Sequence, residues 1–156
     1  MFRTRVQRGG WQLNTHLSSG LSLLHHQSFA ECPSLANLRP RVLAETPELD
    51  QFGIHVMASQ NDAGNVILGD SHECDDSTEP FYRQDIEDLV MRELRKRFIL
   101  PDWTIESRWR GCYAQHPTKP LLRLQPSENV FVCISPGGSG MTLSLGWADI
   151  FWNQWA

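Results

Sequence analysis

The sequence predicts a mixed α+β fold whose sheet is largely antiparallel. Apolar residues alternate along short runs that are joined by turn residues, as is typical of antiparallel strands. One longer run, residues 83–98, instead repeats its apolar residues at helical spacing. Hydrophobic residues make up 40% of the 156 residues, which is enough to build the core of one globular domain.

The N-terminal part is predicted to form two short strands and a helix. The strands are Trp11 to Thr15 and Gly20 to His25, on either side of a small polar break at 18–20. Ser34 is predicted to cap the helix. Pro40 either kinks this helix or marks its true start, because proline has no N–H to donate. The apolar side of the helix consists of Leu35, Leu38 and Val42.

The middle of the chain contains the two clearest elements. Residues 52–70 are predicted to form a β-hairpin. Apolar and polar residues alternate over 52–59, residues 61–65 are of types that favour a turn, and the apolar run 66–68 forms the second strand. Residues 83–98 are predicted to form an amphipathic helix that ends before Pro101. Its apolar side consists of Ile86, Leu89, Val90, Leu94 and Phe98.

Three more strands and a helix are predicted in the C-terminal part. The strands are Thr104 to Ala114, Leu121 to Leu124 and a run from Asn129 to Ser135, and a proline-bounded loop at 115–120 separates the first two. The last helix is rich in tryptophan. One of its sides is predicted to pack against the core or dock on another surface, and this side consists of Trp147, Ile150, Phe151 and Trp155.

Composition excludes several classes of function. The net charge of -4 gives no general attraction to nucleic acid or to an anionic membrane. The cluster Arg92, Arg95, Lys96 and Arg97 is interpreted as a solvated helix face. No apolar stretch is long enough to span a bilayer, and the first residues lack the apolar core of a secretion signal, so a cytoplasmic location is predicted.

No metal site is predicted from ligand spacing. The four cysteines, Cys32, Cys74, Cys112 and Cys133, form no C-x-x-C pair and are expected to be reduced thiols. His25-His26 and the segment from His72 to Asp76 contain ligand types without a recognised spacing, so the latter is interpreted as a solvated acidic turn. His55 is assigned to the sheet, with no orientation.

A glycine-rich junction is the best candidate for a binding site. The strand ending at 135 leads into a glycine loop and then a helix, whose first N–H groups and positive dipole end suit an anion or an electron-rich ring. The predicted cofactor-binding residues are Gly137, Gly138, Ser139, Gly140, Met141 and Thr142. The alternative is a tight turn that binds nothing. The sequence contains neither G-x-G-x-x-G nor G-x-x-x-x-G-K-[ST], so no diphosphate cradle is recognised.

Three segments resemble one family in the expected order. Residues 137–148, Gly-Gly-Ser-Gly-Met-Thr-Leu-Ser-Leu-Gly-Trp-Ala, resemble the C-terminal flavin-contacting motif of the D-amino-acid oxidase, glycine oxidase and sarcosine oxidase superfamily. Residues 65–73, Asn-Val-Ile-Leu-Gly-Asp-Ser-His-Glu, resemble a segment of its substrate domain. Residues 110–114, Arg-Gly-Cys-Tyr-Ala, are similar to a strand end near the flavin.

The resemblance implies the second half of an FAD-dependent oxidoreductase. Residues 1–114 would be like the substrate-binding domain, 115–156 would contact non-covalently bound FAD, and the N-terminal Rossmann-like half would be missing from the chain. The implied reaction oxidises a C–N bond of a small amine, amino acid or aminophosphonate by hydride transfer to flavin. A separate chain is expected to supply the dinucleotide-binding half. The alternative is a catalytically incompetent fragment, or an interaction module that retains the fold and docks through its tryptophans.

The resemblance also suggests individual site residues. Tyr113 and Arg110 are predicted to face the substrate, although on a strand they point to opposite sides and Tyr113 also suits a core or rim position. His116 is the candidate for acting on the substrate proton, with a plain loop role as the alternative. Cys112 is one position away from a residue that would link flavin covalently, so that linkage is not expected.

Overall fold

The computed structural model describes residues 1–24, 29, 31–75, 77, 79–116, 118–119, 121–134 and 137–155, with only the backbone for 154 and 155. These residues form two compact units, Met1–Arg110 (unit 1) and Gly111–Ala156 (unit 2). Each unit contains helix and antiparallel strand pairs, which confirms the predicted α+β class. The assignment of 1–114 and 115–156 to substrate and flavin roles stays a prediction.

Unit 1 contains a five-stranded antiparallel sheet in the order β2-β3-β4-β1-β5. Its strands are β1 Phe2–Val6, β2 Leu17–Ser18, β3 Met57–Gln60, β4 Asn65–Leu68 and β5 Ile105–Arg108. The largely antiparallel sheet predicted from sequence is therefore confirmed. β1 lies between β4 and β5, although neither is its neighbour in the sequence.

The hairpin of β3 and β4 is confirmed, with shorter strands than predicted. Asn61 donates its backbone N–H to the Asn65 carbonyl at 3.0 Å, and the Asn61 side-chain oxygen accepts from the Asn65 N–H at 2.9 Å. Gly64 closes the turn at φ +88°, a conformation that glycine adopts at no steric cost. Residues 52–56, which the alternation placed in the strand, precede it.

The pairing of β1 with β4 contains an irregularity between Arg3 and Val6. Thr4 is fully buried there, and its hydroxyl accepts hydrogen bonds from the Val66 N–H and from Gln7 Nε2, both at 3.0 Å. The Thr4 hydroxyl also donates to the Arg5 carbonyl at 2.7 Å. A side chain thus supplies the hydrogen bonds that the backbone ladder loses at the irregularity.

In the described part of unit 1, four α-helices accompany this sheet: α1 Gly20–Leu23, α2 Pro33–Glu45, α3 Pro47–Gln51 and α4 Gln84–Arg97. The amphipathic helix predicted at 83–98 is confirmed as α4, whose apolar side is buried. The core of unit 1 combines this side with the inner face of the sheet, and its fully buried members include Ile54, Val56, Ala58, Val66, Leu68, Val90 and Leu94.

Both strands predicted near the N-terminus are wrong. Residues 11–15 contact β3 through a side chain, because Leu13 donates its N–H to Gln60 Oε1 at 2.7 Å and Gln60 Nε2 donates to the Trp11 carbonyl at 3.1 Å. Gly20–Leu23 is helix α1, and His25 lies outside the described residues. An apolar run this short fits a helix and a strand equally well.

Two predicted boundaries also need correction. α2 begins at Pro33, a favoured residue at the first helical position, so Ser34 is inside the helix and Cys32 precedes it. The helix continues through Pro40. The strand predicted at 104–114 is limited to β5, Ile105–Arg108.

Unit 2 consists of a β-hairpin, a glycine turn and a helix. β6 Leu122–Ser127 pairs antiparallel with β7 Val130–Ile134, and Asn129 adopts φ +61° in the turn. A 3-10 turn at Gly137–Ser139 leads into α5, Gly140–Trp155. Phe151 is the buried residue on the predicted apolar side of α5, and the Arg123 guanidinium lies 4.3 Å from the centre of its ring. Ile150 is exposed, and the Trp155 side chain is outside the described set.

Candidate functional site

The strand, glycine turn and helix predicted from sequence lie together in unit 2. Gly137 has φ +56°, which disfavours any residue with a Cβ atom, and α5 begins directly after the turn, at Gly140. Like any helix of this length, α5 leaves its first backbone N–H groups without acceptors of its own. Met141 and Thr142 in its first turn are exposed, so the positive end of the helix faces solvent.

Tyr113 lies against the glycine turn. A Cβ atom added to Gly138 would be 3.5 Å from the Tyr113 hydroxyl oxygen, and one added to Gly137 would be 4.0 Å from its ring. The Tyr113 side chain is nevertheless half exposed. The structure therefore brings Tyr113 beside Gly137 and Gly138, two of the predicted cofactor residues, although the β6–β7 hairpin separates them in sequence.

Arg110 has its contacts in unit 1. Its Nη1 donates to the Glu79 carbonyl at 3.0 Å, and its guanidinium lies 5.0 Å from the centre of the Tyr82 ring. These are stacking and hydrogen-bonding contacts that suit a guanidinium. The role of Arg110 toward a substrate stays a prediction.

His116 organises the loop in which it lies. Its Nδ1 accepts hydrogen bonds from the backbone N–H of Thr118 at 3.2 Å and from that of Lys119 at 3.1 Å. An Nδ1 that accepts hydrogen bonds carries no proton, so the neutral ring is protonated on Nε2. The loop role that the sequence offered as the alternative is therefore observed, and Nε2–H remains available as a hydrogen-bond donor.

A cluster of His55, Asp70 and His72 was missed by the sequence interpretation. One potential ligand atom from each residue lies within 4.8 Å of the other two, and the two imidazole centres are 4.5 Å apart. Asp70 Oδ1 is 4.0 Å from His72 Nδ1. Burial raises the pKa of Asp70 above its ordinary value, against the opposing effects of His72 and the N-terminal amine.

Cross-strand pairing beyond β3 and β4 creates this cluster. His55 donates its N–H to the Asp70 carbonyl at 2.7 Å, and His72 donates its N–H to the Phe52 carbonyl at 2.9 Å. The i, i+2 spacing of Asp70 and His72 was a usable signal, because alternate residues of an extended chain point to one side. The pairing that brings His55 opposite them cannot be predicted from the sequence of either segment alone.

Two clefts in unit 1 are lined by other residues of that unit. One, of about 230 Å³, has an apolar lining that includes Leu13, Phe98 and Leu100. The other, of about 640 Å³, is lined by polar and apolar groups around Trp11 and the β3–β4 turn. Neither contains a residue that the sequence assigned to a site.

All four cysteines lie in the part of the chain that the structure describes. Cys32, Cys74, Cys112 and Cys133 are all exposed and none forms a disulfide. In the part of the chain that the structure covers, no helix is both long enough and apolar enough to cross a bilayer. The paired histidines His25 and His26 are outside that part.

Comparison with known proteins identifies one family. The family model described as FAD dependent oxidoreductase matches residues 9–152, which include both units almost entirely. No curated protein and no solved structure gives a significant match.

Proposed function

The chain belongs to the FAD-dependent oxidoreductase family, and we propose that it forms the substrate-binding and flavin-contacting part of an enzyme that oxidises a C–N bond. The substrate is a small amine, amino acid or aminophosphonate. The observation that carries this proposal is the position of Tyr113 beside the glycine turn at the start of α5.

The described residues fit one part of FAD. Gly137 and Gly138 have no side chain that would block a flat ring, and Met141 and Thr142 in the first turn of α5 are exposed. When bound, FAD supplies the acceptor for the hydride that leaves the substrate carbon. The amides of Gly140, Met141 and Thr142 would stabilise the negative charge that develops next to them without reorganising.

The remaining roles concern the substrate. Tyr113 is half exposed beside the turn, so its ring and hydroxyl can position an amine there. His116 holds its proton on Nε2 in the neutral form and can donate a hydrogen bond from Nε2–H to a substrate group. Arg110 would attract a carboxylate or phosphonate by its charge.

FAD needs further contacts for its adenine, ribose and diphosphate. Residues 1–156 contain no G-x-G-x-x-G, so we propose that a dinucleotide-binding part encoded outside them, in a separate chain, completes the site. Large apolar side chains of unit 2 are exposed, with Met141 at 94%, Leu145 at 83% and Trp152 at 76%. Such side chains suit a protein interface.

The same exposed side chains support a second candidate function. An interaction module that keeps this fold without catalysis would also present Leu145 and Trp152 to a partner. FAD retention separates the two functions, because only the oxidoreductase needs the cofactor.

FAD binding by the chain, alone and with its partner, tests the proposal. The partner to be tested is a polypeptide with G-x-G-x-x-G, sought first among those encoded next to this gene. Flavin retained after gel filtration is measured by absorbance. We expect the pair to retain FAD more tightly than either chain alone. Gly138→Val places a branched side chain against Tyr113, where the flavin would lie. It should weaken FAD retention by about tenfold or more, which corresponds to a loss of about 1.4 kcal/mol or more in binding free energy.

Gly146→Ala is the matched control, because a Cβ atom there meets nothing within 4 Å. Retention that Gly138→Val leaves unchanged would reject contact at the glycine turn. A stable pair that never retains FAD would favour the interaction module.

A further inference from the structure

We propose that His55, Asp70 and His72 bind a divalent transition-metal ion, with Zn²⁺ as the best match. Two imidazole nitrogens and one carboxylate oxygen form a common ligand set for zinc. Their candidate donor atoms lie within 4.8 Å of one another. The proposal does not depend on FAD or on unit 2.

The backbone holds the three ligands in place. Hydrogen bonds from His55 to Asp70 and from His72 to Phe52 fix the two segments beside each other. A Cβ atom on Gly53 would be 2.9 Å from the His72 carbonyl oxygen, and one on Gly69 would be 2.8 Å from the Met57 nitrogen. Glycine at both positions therefore allows the close approach that brings the ligands together.

The spacing of the donors suits a small ion after a modest contraction. Donors bound at zinc distances in a tetrahedron are about 3.4 Å apart. Asp70 Oδ1 and His72 Nδ1 are 4.0 Å apart, and the widest separation in the set is at most 4.8 Å. Rotation of the side chains can close these differences without moving the backbone.

Two of the three donor atoms lack a hydrogen-bond partner among the described residues. Asp70 Oδ1 and His72 Nδ1 are buried, and neither makes a hydrogen bond to any residue that the structure describes. A buried polar atom in that condition costs about 1–3 kcal/mol. An ion between them would satisfy both atoms, and its charge would offset the burial that raises the pKa of Asp70.

The ligand types select the metal class, and the exposure of His72 provides access. Calcium and magnesium prefer shells made of oxygen, whereas imidazole suits zinc, nickel, copper and iron. His55 is buried, but the His72 side chain is 39% exposed, so an ion can enter from solvent. Three protein ligands leave a position for water, as in many zinc sites.

Metal titration of the full chain tests the site. The chain, freed of any affinity tag, treated with chelator and kept reduced, is titrated calorimetrically with Zn²⁺ and thermally unfolded with and without it. We expect one ion per chain and a higher unfolding temperature. Loss of a residue that only hydrogen-bonds to a metal ligand typically lowers metal affinity about 10–100-fold. Loss of a ligand itself should cost at least as much, so His72→Ala and Asp70→Asn should each weaken Zn²⁺ binding by roughly 100-fold.

Three control variants identify other sources of binding. His16→Ala removes an exposed histidine elsewhere in unit 1, Cys74→Ser removes the nearest thiol in sequence, and a double change of His25 and His26 to alanine removes that pair. The proposal requires all three to bind Zn²⁺ like the original chain. Binding that persists in both His72→Ala and Asp70→Asn, or that disappears in any control, would overturn it. Circular dichroism confirms that each variant is folded.

Discussion

Thr4 shows how one hydroxyl can hold two strands together. It is completely buried, and its oxygen accepts from the Val66 N–H and from Gln7 Nε2 where the ladder between β1 and β4 is irregular. Asn65 adds a hydrogen bond from its side-chain amide to the Thr4 carbonyl at 2.9 Å. The polar groups in this part of the core therefore satisfy one another.

Thr4→Val should destabilise unit 1 by about 1–3 kcal/mol, because the Val66 N–H would lose its acceptor in a buried place. The Gln7 amide would lose one acceptor and keep its hydrogen bonds to the Arg5 and Asp102 carbonyls. Urea denaturation followed by NMR signals of β4 measures this free energy. Hydrogen exchange at the Val66 amide should also become faster.

Thr4→Ser is the matched variant, since it keeps the hydroxyl and removes only a methyl group. It should leave exchange at Val66 close to that of the original chain. Equal acceleration in Thr4→Val and Thr4→Ser would show that packing, rather than the hydroxyl, protects this amide.

Single residues also show how far the sequence defines a site. The glycine loop before α5 was predictable, because a cluster of glycines between a strand pattern and a helix pattern indicates a turn. The contact between Tyr113 and Gly138 was not, because the β6–β7 hairpin separates them in sequence. The hydrogen bonds of His116 Nδ1 to its own loop give no signal in the residue pattern.

Elements were predictable where the periodicity was long. α4 repeats its apolar residues over four turns, and the β3–β4 hairpin has an unambiguous turn at 61–64. Residues 11–15 and 20–23 are too short to distinguish strand from helix by pattern. There, tertiary contacts decide the structure: Ser22 Oγ accepts from the Val56 N–H at 3.0 Å and stabilises α1 beside β3.

At the scale of elements, the close approach at Gly69 can be tested. A Cβ atom there would overlap the His55 carbonyl oxygen and lie 2.8 Å from the Met57 nitrogen, and neither backbone atom can move freely. Gly69→Ala should therefore cost unit 1 about 1–3 kcal/mol, measured by urea denaturation with the NMR signals of β3 as the reporter.

Gly111→Ala provides the comparison for this change. No atom lies within 4 Å of the added Cβ position, and no left-handed φ is required there. Its effect should stay within about 0.5 kcal/mol. If Gly69→Ala were equally mild, β3 and β4 would not be as closely held as the structure indicates.

At the scale of the molecule, the two units differ in the exposure of their large apolar side chains. Unit 1 buries a continuous core, whereas many large apolar side chains of unit 2 are exposed, including Leu124, Val130, Leu145, Ile150 and Trp152. An exposed set of this size on a small unit is typical of a surface that a partner covers.

Binding of the dye ANS should report these side chains. The double variant Leu145→Gln, Trp152→Gln should lower ANS fluorescence clearly, because both side chains are more than three-quarters exposed. Ile99→Gln is the control: Ile99 is 93% exposed in unit 1, and it should change the signal little. Equal loss in the control and the double variant would remove the argument for a surface specific to unit 2.

The place of β1 in the sheet has a consequence for synthesis on the ribosome. β1 is translated before both of its neighbours, and β5, the later of them, ends at Arg108. At ordinary rates of translation, roughly 5–20 seconds separate the two strands. During that interval one edge of β1 lacks its partner strand, and an unpaired edge is open to pairing with another chain.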